Sequence, residues 1–287
     1  VKKWVFGIVI LIGCSYYFSE IKPQAVEQQT EVIGEEAVST IQITKDQVYK
    51  GNLLLVNKDY PVPPEARASI QAKAVTLSKH KKLTEGFVLL DNHIQLSADM
   101  AEKFSAMVAA ARKDGVNHFI LNSGYRNHEE QHELYEQQGA ELAMPAGYSE
   151  HNLGLSLDIG SSLGKMMQAP EGKWLEENAW KYGFILRYPP DKVDITGIEH
   201  EPWHFRYVGL PHSAIMQEKN MVLEQYLDYV KKQKRMTITI GQRTYEVSYY
   251  PVTRKGGSTV NVKGPYEISG NNKDGVIVTS WTTKAAK

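Results

Sequence analysis

Between Leu96 and Gly115 the apolar positions Met100, Phe104, Met107, Val108 and Ala111 recur at helical spacing and share one face. Ser97 supplies an N-cap and Gly115 a stop, so this segment predicts a core helix. A short apolar run, Val116 to Leu121, predicts a strand that opens into Ser123-Gly124-Tyr125-Arg126, followed by a polar helix from His128 to Gly139. Beyond a loop containing proline and glycine, Ser156 to Ile159 reads as a strand, Glu171 to Tyr182 as a helix stopped at Gly183, and Phe184 to Tyr188 and Glu201 to Val208 as two more strands. Ser213 to Lys232 predicts one long helix with Ile215, Met216, Val222, Leu223, Tyr226, Leu227 and Val230 apolar. From Met236 the period drops to two: Thr237 to Ile240 and Tyr245 to Tyr250 flank Gly241-Gln242-Arg243, predicting a small β appendage.

The first eighteen residues have a different character. Lys2 and Lys3 precede an apolar run from Trp4 to Phe18, the pattern of an export signal. About fifteen apolar residues fall short of the roughly 20 that span a bilayer. The segment therefore reads as a cleaved signal or a short signal-anchor, while Leu11-Ile12-Gly13-Cys14 resembles a lipobox that would place a lipid on Cys14. The expectation is a protein held at the cell membrane by its N-terminus, with its globular part extracellular. Residues 19–45, with Glu27, Glu31, Glu35 and Glu36 and few large apolar side chains, read as an acidic flexible tether. The expected division is thus 1–18 signal or anchor, 19–45 tether, 46–235 main domain and 236–287 appendage.

Composition narrows the chemistry. The chain has 287 residues, 42% hydrophobic and 23% charged, enough for one good core with extras. Thirty-three basic residues balance thirty-three acidic ones, so no overall field draws in nucleic acid. With one cysteine, Cys14, neither a disulfide framework nor a thiolate metal site can be built, and a metal would need His, Asp or Glu ligands.

Such residues cluster in Ser149-Glu150-His151-Asn152-Leu153-Gly154-Leu155-Ser156-Leu157-Asp158 and in Glu201-Pro202-Trp203-His204. Two imidazoles and a carboxylate make a three-ligand zinc site with a coordination position left open, as a hydrolase requires. Glu201, three residues before His204, is placed to take a proton from water. Ser-x-His-x6-Asp followed by Glu-x-Trp-His, with an upstream Ser-Gly-Tyr-Arg, resembles the VanY-type D,D-carboxypeptidases of the zinc peptidase family M15. The resemblance runs from about Val48 through the appendage, including Asn178-Ala179-Trp180-Lys181-Tyr182-Gly183-Phe184 and Tyr207-Val208-Gly209-Leu210-Pro211-His212.

The resemblance implies an α+β fold of the Hedgehog/D,D-peptidase type, with a central antiparallel sheet flanked by helices. It implies one Zn2+ held by His151, Asp158 and His204, Glu201 as general base and then proton donor, and Arg126 stabilising the oxyanion. Gln131 and Ser149 match substrate-binding positions. The implied substrates are peptidoglycan precursor peptides ending in D-Ala-D-Ala, whose trimming supports glycopeptide (vancomycin) resistance. On this reading Asn152-Leu153 is a variable stretch inside the zinc motif.

Two rival chemistries are also written in the chain. His128-Glu129-Glu130-Gln131-His132 is a formal H-E-x-x-H match, though in a strongly polar helix. Ser-x-x-Lys occurs at Ser78 to Lys81 and Ser162 to Lys165, without the Lys-Thr-Gly of serine-type enzymes. A non-catalytic zinc-binding or wall-binding module is the third alternative, but a pure binder needs neither Glu201 nor Arg126.

Overall fold

The computed structural model describes residues 38–139, 143–253 and 258–284. In chain order the strands are β1 (Val38–Gln42), β2 (Ala74–Thr76), β3 (Val88–Leu89), β4 (Gln95–Ser97), β5 (Phe119–Ser123), β6 (Ser156–Ser161), β7 (Phe184–Leu186), β8 (His204–Tyr207), β9 (Arg235–Ile240), β10 (Arg243–Pro251), β11 (Thr259–Lys263), β12 (Tyr266–Gly270) and β13 (Gly275–Thr283). The helices are α1 (Pro64–Lys73), α2 (Ala98–Lys113), α3 (His128–Gln138), α4 (Pro170–Asn178), α5 (Val193–Thr196), α6 (His212–Glu218) and α7 (Leu223–Gln233).

Helix α2 forms where its apolar period predicts. The Ser97 hydroxyl accepts the Met100 N–H at 3.2 Å, and Gly115 at φ +81° marks its end. Its buried face, including Phe104, Met107 and Val108, packs on the inward residues Phe119, Leu121, Leu157, Ile159 and Phe205 of the central sheet. Each such side chain contributes about 1.5–3 kcal/mol when fully buried. The sheet runs β3-β5-β6-β8-β7 and is antiparallel except for the two-residue edge strand β3, which pairs parallel with β5. The α+β class and the central sheet are therefore present, with that one parallel edge.

A second sheet, β12-β13-β10-β9, is wholly antiparallel. Its inner face, with Val247, Tyr249 and Ile277, shares a core with Tyr226, Leu227 and Val230 of α7 and with Leu53 and Leu55. The appendage is thus packed on the main body through a common apolar cluster.

Three expectations change. Residues Val38–Gln42, within the predicted tether, form β1 and pair with Thr259–Lys263 of the C-terminal region; Ile41 and Ile43 bury against Val262 and Val278. The partner is more than 200 residues away, which no local pattern reveals. The single helix from Ser213 to Lys232 is two, α6 and α7, broken where Asn220 takes φ +48° and the Met221 N–H bonds back to the Met216 carbonyl. Asparagine tolerates this left-handed conformation, and the break lets both apolar stripes reach the core. Two strands start three residues later than predicted, β5 at Phe119 rather than Val116 and β8 at His204 rather than Glu201.

Placement at the cell membrane with an extracellular catalytic part is also corrected. Among the described residues no helix is long and apolar enough to cross a membrane. The N-terminal signal, anchor and Cys14 lipid readings lie outside the described residues. An apolar run of about fifteen residues is itself short of the roughly 20 a span needs, and membrane attachment is not retained.

Candidate active site

The pairing of β6 with β8 sets Asp158 directly opposite His204, so their side chains emerge together on one face. On the other side of β6, after an irregularity between Leu121 and Ser123, Asp158 lies opposite Ser123, the residue before Gly124. His151 comes from a 3-10 turn, Glu150–Leu153, capped by Ser149, whose hydroxyl accepts the His151 N–H at 3.3 Å. That turn is ended by Gly154 at φ +67°.

The His151 Nδ1–H donates to the Gly124 carbonyl at 2.6 Å, which fixes the tautomer and leaves Nε2 free, 3.2 Å from Asp158 Oδ2. A Cβ at position 124 would stand 2.5 Å from the Gln95 carbonyl oxygen and 2.8 Å from a Leu96 methyl, so only glycine brings that carbonyl into place. His204 Nδ1 lies 3.1 Å from Asp158 Oδ1 and 3.6 Å from Glu201 Oε2, while its Nε2 faces Glu150 Oε2 at 3.5 Å. Ligand atoms of His151, Asp158 and His204 all lie within 4.8 Å of one another. Among the described residues the buried Asp158 Oδ1 has no hydrogen-bond partner. A carboxylate whose two oxygens sit 3.2 and 3.1 Å from two imidazole nitrogens fits a cation, and two nitrogens with one oxygen suit zinc. Asp158 and Glu201 retain 18% and 28% side-chain exposure, so the cluster is reached from their side.

The electrostatics agree. Burial would raise the Asp158 carboxyl, yet His151 and His204 beside it hold it well below the usual carboxylate range. Burial opposes protonation of His204, but Asp158 and Glu150 outweigh it and lift its pKa to about 9 without metal. The same carboxylates attract a dication. Burial, with help from Arg126, pushes His151 down, keeping its imidazole neutral as a ligand must be. Burial raises Glu201 above its ordinary value, the direction a general base needs.

The remaining predicted residues fall around this centre. Arg126 is held by its backbone N–H to the His151 carbonyl at 3.2 Å, and its guanidinium feels the charges of Asp158 and Glu201. Gln131 is 1% exposed, so it does not merely face solvent; its amide donates to the Met144 carbonyl at 2.7 Å and its Oε1 has no partner among the described residues. Ser149 is buried and engaged as the cap. The H-E-x-x-H residues His128, Glu129 and His132 are exposed on α3, apart from the metal-competent cluster. The serines and lysines of both Ser-x-x-Lys segments are likewise exposed.

Sequence reasoning missed the support behind His204. Glu150 is fully buried; its Oε1 accepts from Arg187 Nε at 2.8 Å and Arg206 Nη1 at 2.6 Å, and its Oε2 accepts from the Ser156 hydroxyl at 3.1 Å. Burial would raise Glu150, but the two guanidiniums keep it ionised. Arg187 also forks onto Glu224 of α7, and Arg206 donates to the Asn52 and Leu54 carbonyls. The only signal available was the charge of Arg187 and Arg206 within or beside apolar strands. Asn152 was likewise passed over as variable. A cleft of about 1540 Å³ opens beside α1, lined in part by Tyr49, Tyr60 and Tyr125, but holds none of the metal-competent residues.

A buried His-Asp-His cluster, reachable from one side and flanked by a carboxylate and a guanidinium, is a candidate site for a metallohydrolase. Residues 93–210 match the family model described as VanY, D-alanyl-D-alanine carboxypeptidase. A D-alanyl-D-alanine carboxypeptidase of Enterococcus faecium is 61% identical over 237 residues, covering 83% of this chain and 77% of that protein. Among solved structures, the vancomycin resistance D,D-dipeptidase VanXYg in complex with a D-Ala-D-Ala phosphinate analogue superposes with a TM-score of 0.73 at 31% identity, over 86% of this chain and 100% of that one. A mutant of the D,D-pentapeptidase VanY from a VanB-type resistance cassette, in complex with Zn(II), superposes with a TM-score of 0.50 at 31% identity, over 61% of this chain and 98% of that one. The chain belongs to the VanY-type D-alanyl-D-alanine carboxypeptidases.

Proposed function

We propose that this D-alanyl-D-alanine carboxypeptidase removes the terminal D-alanine from peptidoglycan precursor peptides ending in D-Ala-D-Ala, with His151, Asp158 and His204 holding one zinc ion. The reading rests on one observation above all: the ligand atoms of these residues converge within 4.8 Å, with Glu201 Oε2 only 3.6 Å from His204 Nδ1. When bound, zinc supplies the Lewis acidity that activates water and polarises a carbonyl. Glu201 takes the proton of the attacking water and returns it to the leaving amine nitrogen of D-alanine. Arg126 offers guanidinium N–H groups to the negative charge that develops on the scissile carbonyl oxygen. Gln131, buried on helix α3 with its Oε1 unpartnered among the described residues, and Ser149, the cap of the His151 turn, follow Arg126 and precede His151 closely in the chain, and we assign them to substrate binding. Loss of the terminal D-alanine destroys the dipeptide that glycopeptide antibiotics bind, which accords with the resistance roles of the two structural relatives.

The decisive experiment follows D-alanine release from a stem pentapeptide by the whole zinc-loaded chain, with and without chelator, for wild type, His151→Ala, His128→Ala and Glu201→Ala. Release is expected to be chelator-sensitive, abolished in His151→Ala, retained in His128→Ala, and lost in Glu201→Ala with zinc still bound. Activity lost only in His128→Ala would move the metal to helix α3. Cleavage of free D-Ala-D-Ala with the pentapeptide left intact would make the protein a dipeptidase instead.

A further inference from the structure

Asn152 follows the ligand His151 and is 7% exposed, and its side chain makes three hydrogen bonds. Its Oδ1 accepts the Gly147 N–H at 2.9 Å, and its Nδ2 donates to the carbonyls of Arg126 at 2.7 Å and of Asn127 at 3.2 Å. Its own N–H bonds to the Ser149 carbonyl at 3.0 Å. One amide thus ties together the turn at Gly147, the backbone of Arg126 and the start of α3, whose N-cap is Asn127. Only a carboxamide does this: two hydrogens meet two carbonyls while its oxygen meets an N–H.

The Arg126 backbone is gripped from both sides, its N–H by the His151 carbonyl and its C=O by Asn152. By contrast, the Arg126 Nε is buried with no hydrogen-bond partner among the described residues. The aim of the guanidinium is therefore set mainly by where its backbone is held. We infer that Asn152 is a positioning residue for the reaction, acting through Arg126 by fixing the backbone from which its guanidinium reaches the developing oxyanion. The inference rests on the oxyanion role given to Arg126 above.

A displacement of about 1 Å at a catalytic group costs on the order of 100-fold in rate. Asn152→Ala in the zinc-loaded whole chain is accordingly expected to lower kcat for pentapeptide cleavage about 10- to 100-fold, with KM and zinc content little changed. The telling comparison repeats the substitution on Arg126→Ala. If Asn152 works through Arg126, the second substitution costs less than about 2-fold there, because interacting residues are non-additive. Asn152→Asp, which sets carboxylate oxygens against two carbonyls at the same size, serves as the second variant should the alanine form fail to fold, and carries the same expectation. Equal losses in both backgrounds, an unchanged kcat, or loss of zinc would each overturn the inference. If Arg126→Ala alone kept full activity, the oxyanion role would fail and this inference with it. If Arg126→Ala is impaired and the Asn152 effect is additive, the oxyanion role survives and only the positioning role falls.

Discussion

Acidification should destabilise the fold through His212 in a way that a single substitution can isolate. His212 is buried in α6, with Nδ1 2.6 Å from the Tyr226 hydroxyl of α7 and Nε2 3.1 Å from the Thr279 hydroxyl of β13. It joins the main body to the C-terminal sheet. Among the described residues no carboxylate pairs with it, and burial lowers its pKa from 6.5 to about 3. The folded protein therefore refuses a proton that the unfolded chain accepts. The resulting stability is complete above pH 6.5 and is lost progressively as pH falls toward about 3. At 1.36 kcal/mol per pH unit, the loss reaches about 2 kcal/mol by pH 5. Urea unfolding of the metal-free protein at pH 7.5 and pH 5, for wild type and His212→Gln, measures it without interference from proton competition for zinc. Glutamine keeps a donor and an acceptor but does not titrate, so wild type should lose about 2 kcal/mol more than the variant between the two pH values. Whatever the variant's absolute stability, only this difference matters; equal losses would refute the argument that His212 stays neutral when folded.

Three further outcomes are expected. Glu150→Gln leaves Arg187 and Arg206 buried without their shared counter-charge and should destabilise by about 3–5 kcal/mol in urea unfolding; a change under about 1 kcal/mol would mean water or Glu224 already compensates them. Gly124→Ala forces a methyl against the Gln95 carbonyl and displaces the carbonyl that orients His151, so zinc affinity measured by competition with a chromophoric chelator should fall about 10- to 100-fold. Free zinc at 1,000 times its Kd should stabilise the wild-type chain by about 4 kcal/mol, and Asp158→Asn should abolish most of that gain; a zinc response unaltered by the substitution would place the ion elsewhere.

How far the sequence reaches differs from element to element. Helix α2, its Ser97 cap and its glycine stop are local matters of period and backbone conformation, and they stand as read. The residues of the metal cluster are legible too, because His151 and Asp158 lie close in the chain and Glu201 and His204 three apart. Their use together is not legible, since it depends on the β6–β8 register that sets Asp158 opposite His204.

Where partners are distant, the sequence is silent. Val38–Gln42 looked like tether because its partner β11 begins at Thr259. The break at Asn220 turns the chain so that the apolar stripes on both sides of it reach one shared core, which includes residues from distant parts of the chain. Glu150 stands in the sequence cluster around His151 without a role of its own and Asn152 in a variable stretch, yet one is enclosed by two arginines and the other ties the Gly147 turn to Arg126 and Asn127. By itself the sequence determined the helical scaffold, the kind of chemistry and the candidate ligands, all carried by residue type and short-range spacing. The tertiary structure alone decided which donors converge, which carbonyl orients His151 and which buried charges are compensated, because hydrogen bonds and Coulomb interactions depend on distances that only the folded chain sets.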